Sequence, residues 1–144
     1  MSTMAEPDDP NDPNVAALRT VYREWGRGNW RARLDLYGPD MEWEWSTEFP
    51  DIHGTTRDMD EANERLRTFL AQFEDWRSEA ERFIPAGDKV VVLTRYAGSG
   101  KGSGAEVYAE GAHVWTMRVG KAARLQIFSD RRRALEAAGL EPAE

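Results

Sequence analysis

Side chains that could exchange protons near neutral pH are scarce in this sequence. It contains two histidines, His53 and His113, and no cysteine. His113 lies in the run Ala112-His113-Val114-Trp115-Thr116-Met117. Strand alternation puts Trp115 and Met117 on its face and Val114 on the other. Such a histidine can serve as a general acid or base, or as a hydrogen-bonded core residue, and both readings stay open. An apolar wall would disfavour the imidazolium and lower the pKa, whereas a nearby Glu110 would raise it. Glu110 and His113 share a face only if Gly111-Ala112 forms a bulge. Two such ligands make an incomplete metal site, so no metal is expected. His53, in Asp51-Ile52-His53-Gly54, reads as an exposed loop residue.

The other familiar chemistries are excluded by spacing. Without cysteine there is no disulfide, thiolate zinc site, iron–sulfur ligation or cysteine nucleophile. The run Gly98 to Gly104 invites a phosphate-loop reading. However, Gly100-Lys101 is followed by Gly102, and Arg95 stands where the first glycine should be. A hairpin loop is the better reading. No G-x-S-x-G and no paired-carboxylate site can be placed.

The formal net charge is -7, which disfavours nucleic acid as a partner, since phosphate binding needs a basic face. The basic run Arg131-Arg132-Arg133 reads as the solvated face of a short helix. No apolar run approaches the roughly 18 residues of a membrane span, and the N-terminus lacks a secretory pattern. A cytoplasmic protein with no membrane partner is the expectation. Six tryptophans are enough to line a core, a small-molecule pocket, or both.

The elements that must position these residues follow from periodicity. Residues 1–12 are acidic and proline-rich and read as a disordered tail, with one domain over 13–140. Asp12-Pro13 caps a helix whose apolar face is Val15, Leu18, Val21/Tyr22 and Trp25. Asn29 caps a second, short helix with Trp30, Leu34 and Tyr37 on one stripe, ending at Gly38-Pro39. Met41, Trp43 and Trp45 form the inner face of a strand, with Glu42 and Glu44 outside. Ser46 to Arg57 reads as loop. Asp58 and Glu61 resemble a capping box for the longest helix, carrying Met59, Ala62, Leu66, Phe69/Leu70 and Phe73. Strands follow over about Trp76–Ile84, Lys89–Ala97, Ala105–Arg118 and Ala122–Phe128. Asp130 caps a last helix that ends at Gly139. The expected class is α+β, with the helices on one face of an antiparallel sheet.

Several stretches resemble the SnoaL-like branch of the nuclear-transport-factor-two-like superfamily. They are Gly87-Asp88-Lys89-Val90-Val91-Val92, the glycine-serine hairpin over Gly100 to Gly104, Val114 to Lys121, and Ala134 to Leu140. The resemblance covers about Val15 to Leu140. It implies a cone-shaped curved antiparallel sheet with N-terminal helices packed on its concave face, a cystatin-like α+β barrel. The superfamily includes ketosteroid isomerases, polyketide cyclases, hydrolases, dehydratases and non-catalytic domains. By similarity the isomerase's tyrosine falls on Val21, next to Tyr22. Its general base falls on Trp45, and its second acid near His113. Tryptophan cannot abstract a proton, so ketosteroid isomerisation is not expected.

The resemblance also places His113 beside a pocket. The expected function is therefore a small-molecule-binding pocket protein. It would act as a cofactor-independent isomerase, cyclase or hydratase on a largely apolar substrate, with His113 as acid or base. Tyr22, Trp45, Tyr96, Glu110, Trp115 and Asp130 would contact substrate. The alternative is a non-catalytic ligand-binding or dimerisation module of the same fold. A homodimer is expected through the outer sheet face, where alternation leaves Val91, Leu93 and Val114 bare.

Overall fold

Asp12 accepts hydrogen bonds from the backbone amides of Asn14 (2.8 Å) and Val15 (3.2 Å), and helix α1 (Pro13–Trp25) starts there. In this computed structural model, residues 12–29, 34–45 and 54–140 are described. The tail before Asp12, Trp30 of the second helical stripe, and the loop stretch with His53 lie outside them. The α1 face predicted from spacing is the buried one: Val15, Leu18, Val21, Tyr22 and Trp25. Each such side chain removed from water contributes about 1.5–3 kcal/mol, and this holds the helix to the sheet.

After a 3-10 turn (Leu34–Leu36) come β1 (Tyr37–Trp45), β2 (Gly54–Thr56) and α2 (Met59–Leu70). They are followed by β3 (Phe73–Ala86), β4 (Lys89–Gly100), β5 (Glu106–Arg118), β6 (Lys121–Phe128) and α3 (Arg131–Ala137). The short helix expected to reach Tyr37 is replaced by β1. Gly38-Pro39, read as its stop, sits inside that strand at a register shift between Tyr37 and Glu42. A proline, which cannot donate to a ladder, is tolerated at such an irregularity. Asp58 caps α2 through the amides of Asp60 (2.9 Å) and Glu61 (3.4 Å). Glu61 does not complete the box. Its carboxylate takes the Thr56 hydroxyl (2.5 Å) and Arg65 (3.1 Å), and Thr56 takes the Asp58 amide instead. Phe73 belongs to β3, not to α2.

The sheet is six-stranded, in the order β2-β1-β6-β5-β4-β3, curved and unclosed. The pairs β3–β4, β4–β5, β5–β6 and β1–β2 are antiparallel, as expected. β1 and β6 are parallel, which departs from the all-antiparallel expectation. The long chain between them makes this possible, since a parallel pair cannot be joined by a tight hairpin. The β4–β5 register runs unbroken from Lys89↔Thr116 to Ser99↔Glu106, so the bulge expected at Gly111-Ala112 is not formed against β4. Irregularities fall instead in β3, at Glu74/Arg77 and at Ala80/Arg82, and between β5 and β6 at Thr116/Met117. Each inserts an odd residue and so resets which side chains face inward.

The two sheet faces are built differently. On the inner face α1 packs with Val90, Val92, Trp115, Met117 and Leu125. On the outer face α3 covers Val91, Ala112 and Val114 with Ala134, all four at 0% exposure. The expectation that every helix lies on one face is thereby corrected. The apolar strip that motivated a homodimer is buried within the chain. Arg131 fastens α3 there, donating to the carbonyls of Thr94 (2.8 Å) and Gly111 (3.1 Å) and to Glu81 (2.7 Å). It is not a solvated arginine. Beyond α3 the outer face is polar: Arg124 pairs with Glu42 (3.1 Å) and Glu44 (2.6 Å). Among the described residues no helix is long and apolar enough to cross a membrane.

Candidate ligand-binding pocket

Between α2 and the inner sheet face lies a cavity of about 270 Å³. Its walls are mostly aromatic, because three elements each present rings at the spacing their period dictates. On β1, Trp43 and Trp45 point inward and stack at 6.1 Å. From α2 come Ala62, Leu66 and Phe69, one helical stripe. β3 supplies Phe73 and Trp76. Asp75 between them has a φ of 58°, and the irregularity there interrupts simple alternation. Trp76 then stacks on Tyr96 of β4 at 5.6 Å. Gly98 makes this possible: a Cβ there would lie 2.9 Å from the Trp76 ring.

His113 lines this cavity from β5 and is buried. Both ring nitrogens are engaged. Nδ1 meets the Tyr22 hydroxyl at 2.5 Å, and Nε2 meets the Tyr96 hydroxyl at 3.0 Å. Behind them the Trp115 indole N–H donates to the Tyr22 oxygen at 2.8 Å. Tyr22 and Trp115 belong to the core behind the histidine. Trp45, Tyr96 and His113 line the cavity. Gly111 opens the path for Tyr96. A Cβ there would fall 2.9 Å from the Tyr96 ring and 3.1 Å from its hydroxyl. Gly111 therefore marks a close approach of ring to strand, not a bulge.

Burial disfavours the imidazolium and lowers the His113 pKa to about 3. Burial also raises the Tyr96 phenol to about 12 and the Tyr22 phenol well above its ordinary value, so both stay protonated. A ring this reluctant to take a proton is poorly matched to general-base work at neutral pH. It does have a stability consequence. The folded pKa lies below the unfolded value of about 6.5, so between these values only the unfolded chain binds the proton. Stability from this group is complete above about pH 6.5 and is lost as pH falls, at about 1.4 kcal/mol per pH unit. Urea unfolding at pH 7, 5.5 and 4.5 should therefore fall more steeply for the wild type than for His113→Gln. Equal slopes would mean that the ring is not held neutral. Glu61 and Glu81, whose pKa values hydrogen bonds from Thr56 and Arg131 lower, titrate in both proteins and cancel.

Two sequence candidates stand apart from this cluster. Glu110 borders the cavity but is exposed, and its carboxylate lies toward Arg131 (3.8 Å) and Arg95 (3.9 Å) on the outer face. The unbroken β5 register keeps it opposite His113. Asp130 is exposed and caps α3 through the Arg132 amide at 2.9 Å. Sequence reasoning missed Tyr37, Leu66, Phe69 and Trp76 as pocket residues, and Gly111 as the gap that admits the Tyr96 ring. The α2 stripe was visible as a helix face, but nothing local says that such a face borders a cavity. Among the described residues no three His, Asp or Glu side chains group as a metal site.

Residues 18–125 match the sequence model of the SnoaL-like domain. No curated protein sequence matches the chain significantly. Among solved structures, TerC co-crystallised with polyporic acid is 25% identical with a TM-score of 0.72, covering 89% of this chain and 99% of that one. An NTF2-like protein from Burkholderia thailandensis E264 is 25% identical with a TM-score of 0.70, covering 90% and 98%. A candidate SnoaL-like polyketide cyclase from Jannaschia sp. CCS1 is 18% identical with a TM-score of 0.71, covering 96% and 99%. At that identity the last likeness speaks for the fold alone.

Proposed function

The chain belongs to the SnoaL-like domain family, and from that premise we propose that it binds a flat, largely apolar small molecule in the cavity between α2 and the sheet. The chemistry this reading assigns is that of a cofactor-independent isomerase, cyclase or hydratase, in which His113, its pKa lowered by burial, would serve as a hydrogen-bonding group and not as the base. One observation carries the reading: an aromatic-walled cavity of about 270 Å³ has His113, held by two tyrosines, at its wall. That volume is just under the roughly 300–1,000 Å³ of ordinary ligand pockets and suits a fused-ring compound. The similarity to TerC, crystallised with polyporic acid, supports a small-molecule ligand.

Thermal shift with fused-ring aromatic ketones and phenols tests this. Ligand at 100 times its dissociation constant stabilises by about 2.7 kcal/mol. Compounds of this class should raise the Tm of the wild type. They should not raise that of Leu66→Trp, which fills the cavity from α2. A shift of equal size in both proteins, or none in the wild type, rejects the pocket.

The rival reading is a non-catalytic ligand-binding or dimerisation module. It is favoured by the engagement of both His113 nitrogens and the burial of the ring. Turnover of a bound compound that is lost in His113→Ala separates the two readings. Self-association through the outer sheet face stays within this proposal, though its apolar motive lies under α3. A monomeric mass by light scattering at micromolar concentration removes it.

A further inference from the structure

The protons on Trp115, Tyr22 and the His113 ring have only one arrangement that leaves none stranded. An indole N–H can only donate, so Trp115 gives its proton to the Tyr22 oxygen. The Tyr22 hydroxyl is buried, and its own proton needs an acceptor. Of the two groups bonded to it among the described residues, only His113 Nδ1 can accept. Were Nδ1 protonated instead, the Tyr22 proton would be orphaned in the core at a cost of about 1–3 kcal/mol. Nδ1 is therefore bare, and a neutral ring then carries its proton on Nε2. That N–H donates to the Tyr96 oxygen at 3.0 Å. The Tyr96 proton cannot point at His113 and has two other directions: the buried Thr94 hydroxyl within its reach, or the cavity. The Tyr96 ring lines the cavity.

We propose that Tyr96 is the group that touches the ligand, its hydroxyl proton turned into the cavity to donate to a carbonyl, enol or phenol oxygen of a flat apolar molecule. Trp115, Tyr22 and His113 are positioning residues that set its direction from behind. This rests on the pocket reading above and deepens it. In an isomerisation or cyclisation, negative charge gathers on a carbonyl oxygen, and a fixed donor in a dry site stabilises it. His113 then needs no proton from solvent, which suits a buried neutral ring. Gly111 is part of the same device, since any side chain there would occupy the space of the Tyr96 ring.

Two measurements test it on the full chain. The first is a long-range proton–nitrogen spectrum of the histidine ring in a His53→Gln background, where His113 is the only histidine. The proton should sit on Nε2, and Tyr22→Phe should move some or all of it to Nδ1. A wild-type proton on Nδ1 overturns the relay. The second compares 2-acetylnaphthalene with 2-isopropenylnaphthalene, matched in shape but only one bearing an oxygen. Tyr96→Phe should weaken the ketone about tenfold, the worth of one hydrogen bond, and leave the hydrocarbon within about twofold. Equal loss for both makes Tyr96 a wall only and overturns the donor role. No loss for either means the proton goes elsewhere, with the buried Thr94 hydroxyl as its acceptor, and also overturns it. If neither compound binds the wild type, the pocket reading fails and takes the ligand contact with it, while the nitrogen spectrum still decides the relay.

Discussion

Gly111→Ala should cost about 1–3 kcal/mol of stability and about tenfold in affinity for an oxygen-bearing ligand, although it adds a single methyl group. The added Cβ would meet the Phe128 carbonyl oxygen at 2.7 Å, the Tyr96 ring at 2.9 Å and the Tyr96 hydroxyl at 3.1 Å. The carbonyl belongs to a strand end and yields little. The Tyr96 ring must therefore move, and its hydroxyl leaves His113 Nε2. A double-mutant cycle isolates the cause: in a Tyr96→Ala background the ring is gone, and Gly111→Ala should cost less. Urea unfolding of the four proteins measures this. Equal cost in both backgrounds would place the strain on the backbone alone and remove the role given to Gly111.

Trp115→Ala should be the most damaging single truncation, at about 3–5 kcal/mol. Trp115 is the largest fully buried side chain among the described residues. It packs against the rings of Tyr37 (6.3 Å), Trp25 (6.1 Å) and Tyr22 (6.3 Å). Truncation leaves a cavity and removes the donor behind Tyr22. Against a total stability of about 5–15 kcal/mol, such a loss threatens the fold itself. Trp115→Phe separates the two effects, keeping most of the packing while losing the N–H. It should cost less and still disturb the His113 ring. Tyr108→Ala is the control, since Tyr108 is 72% exposed and should change stability by no more than about 0.5 kcal/mol. Chemical denaturation in which Trp115→Ala resembles Tyr108→Ala would contradict the core assignment.

The pocket was only partly legible in the chain. His113 stood out because so few side chains titrate near neutral pH, and Tyr96, Trp45 and Tyr22 were named as its companions. Trp76 was not, because its inward direction depends on the irregular backbone at Asp75, where φ is 58°. A glycine inside a strand signals either a bulge or a close approach, and the sequence does not say which of the two Gly111 makes. Glu110 was grouped with His113 only through that bulge, and the unbroken β4–β5 register separates them.

What the sequence by itself determined are the features governed by neighbours within about four residues: the α1 stripe, the caps at Asp12, Asp58 and Asp130, and the inward alternation of Met41, Trp43 and Trp45. Tertiary structure alone decided the rest. It set β1 parallel to β6, laid α3 over Val91 and Val114, and turned Arg131 onto strand carbonyls. It also chose the partners of His113, which come from 91 positions away at Tyr22 and 17 at Tyr96. Periodicity says that a residue is inward but not what it will meet there. The state of the His113 ring, and so the chemistry of this site, depends on what it meets, because burial sets its charge and two distant hydroxyls set which nitrogen holds the proton.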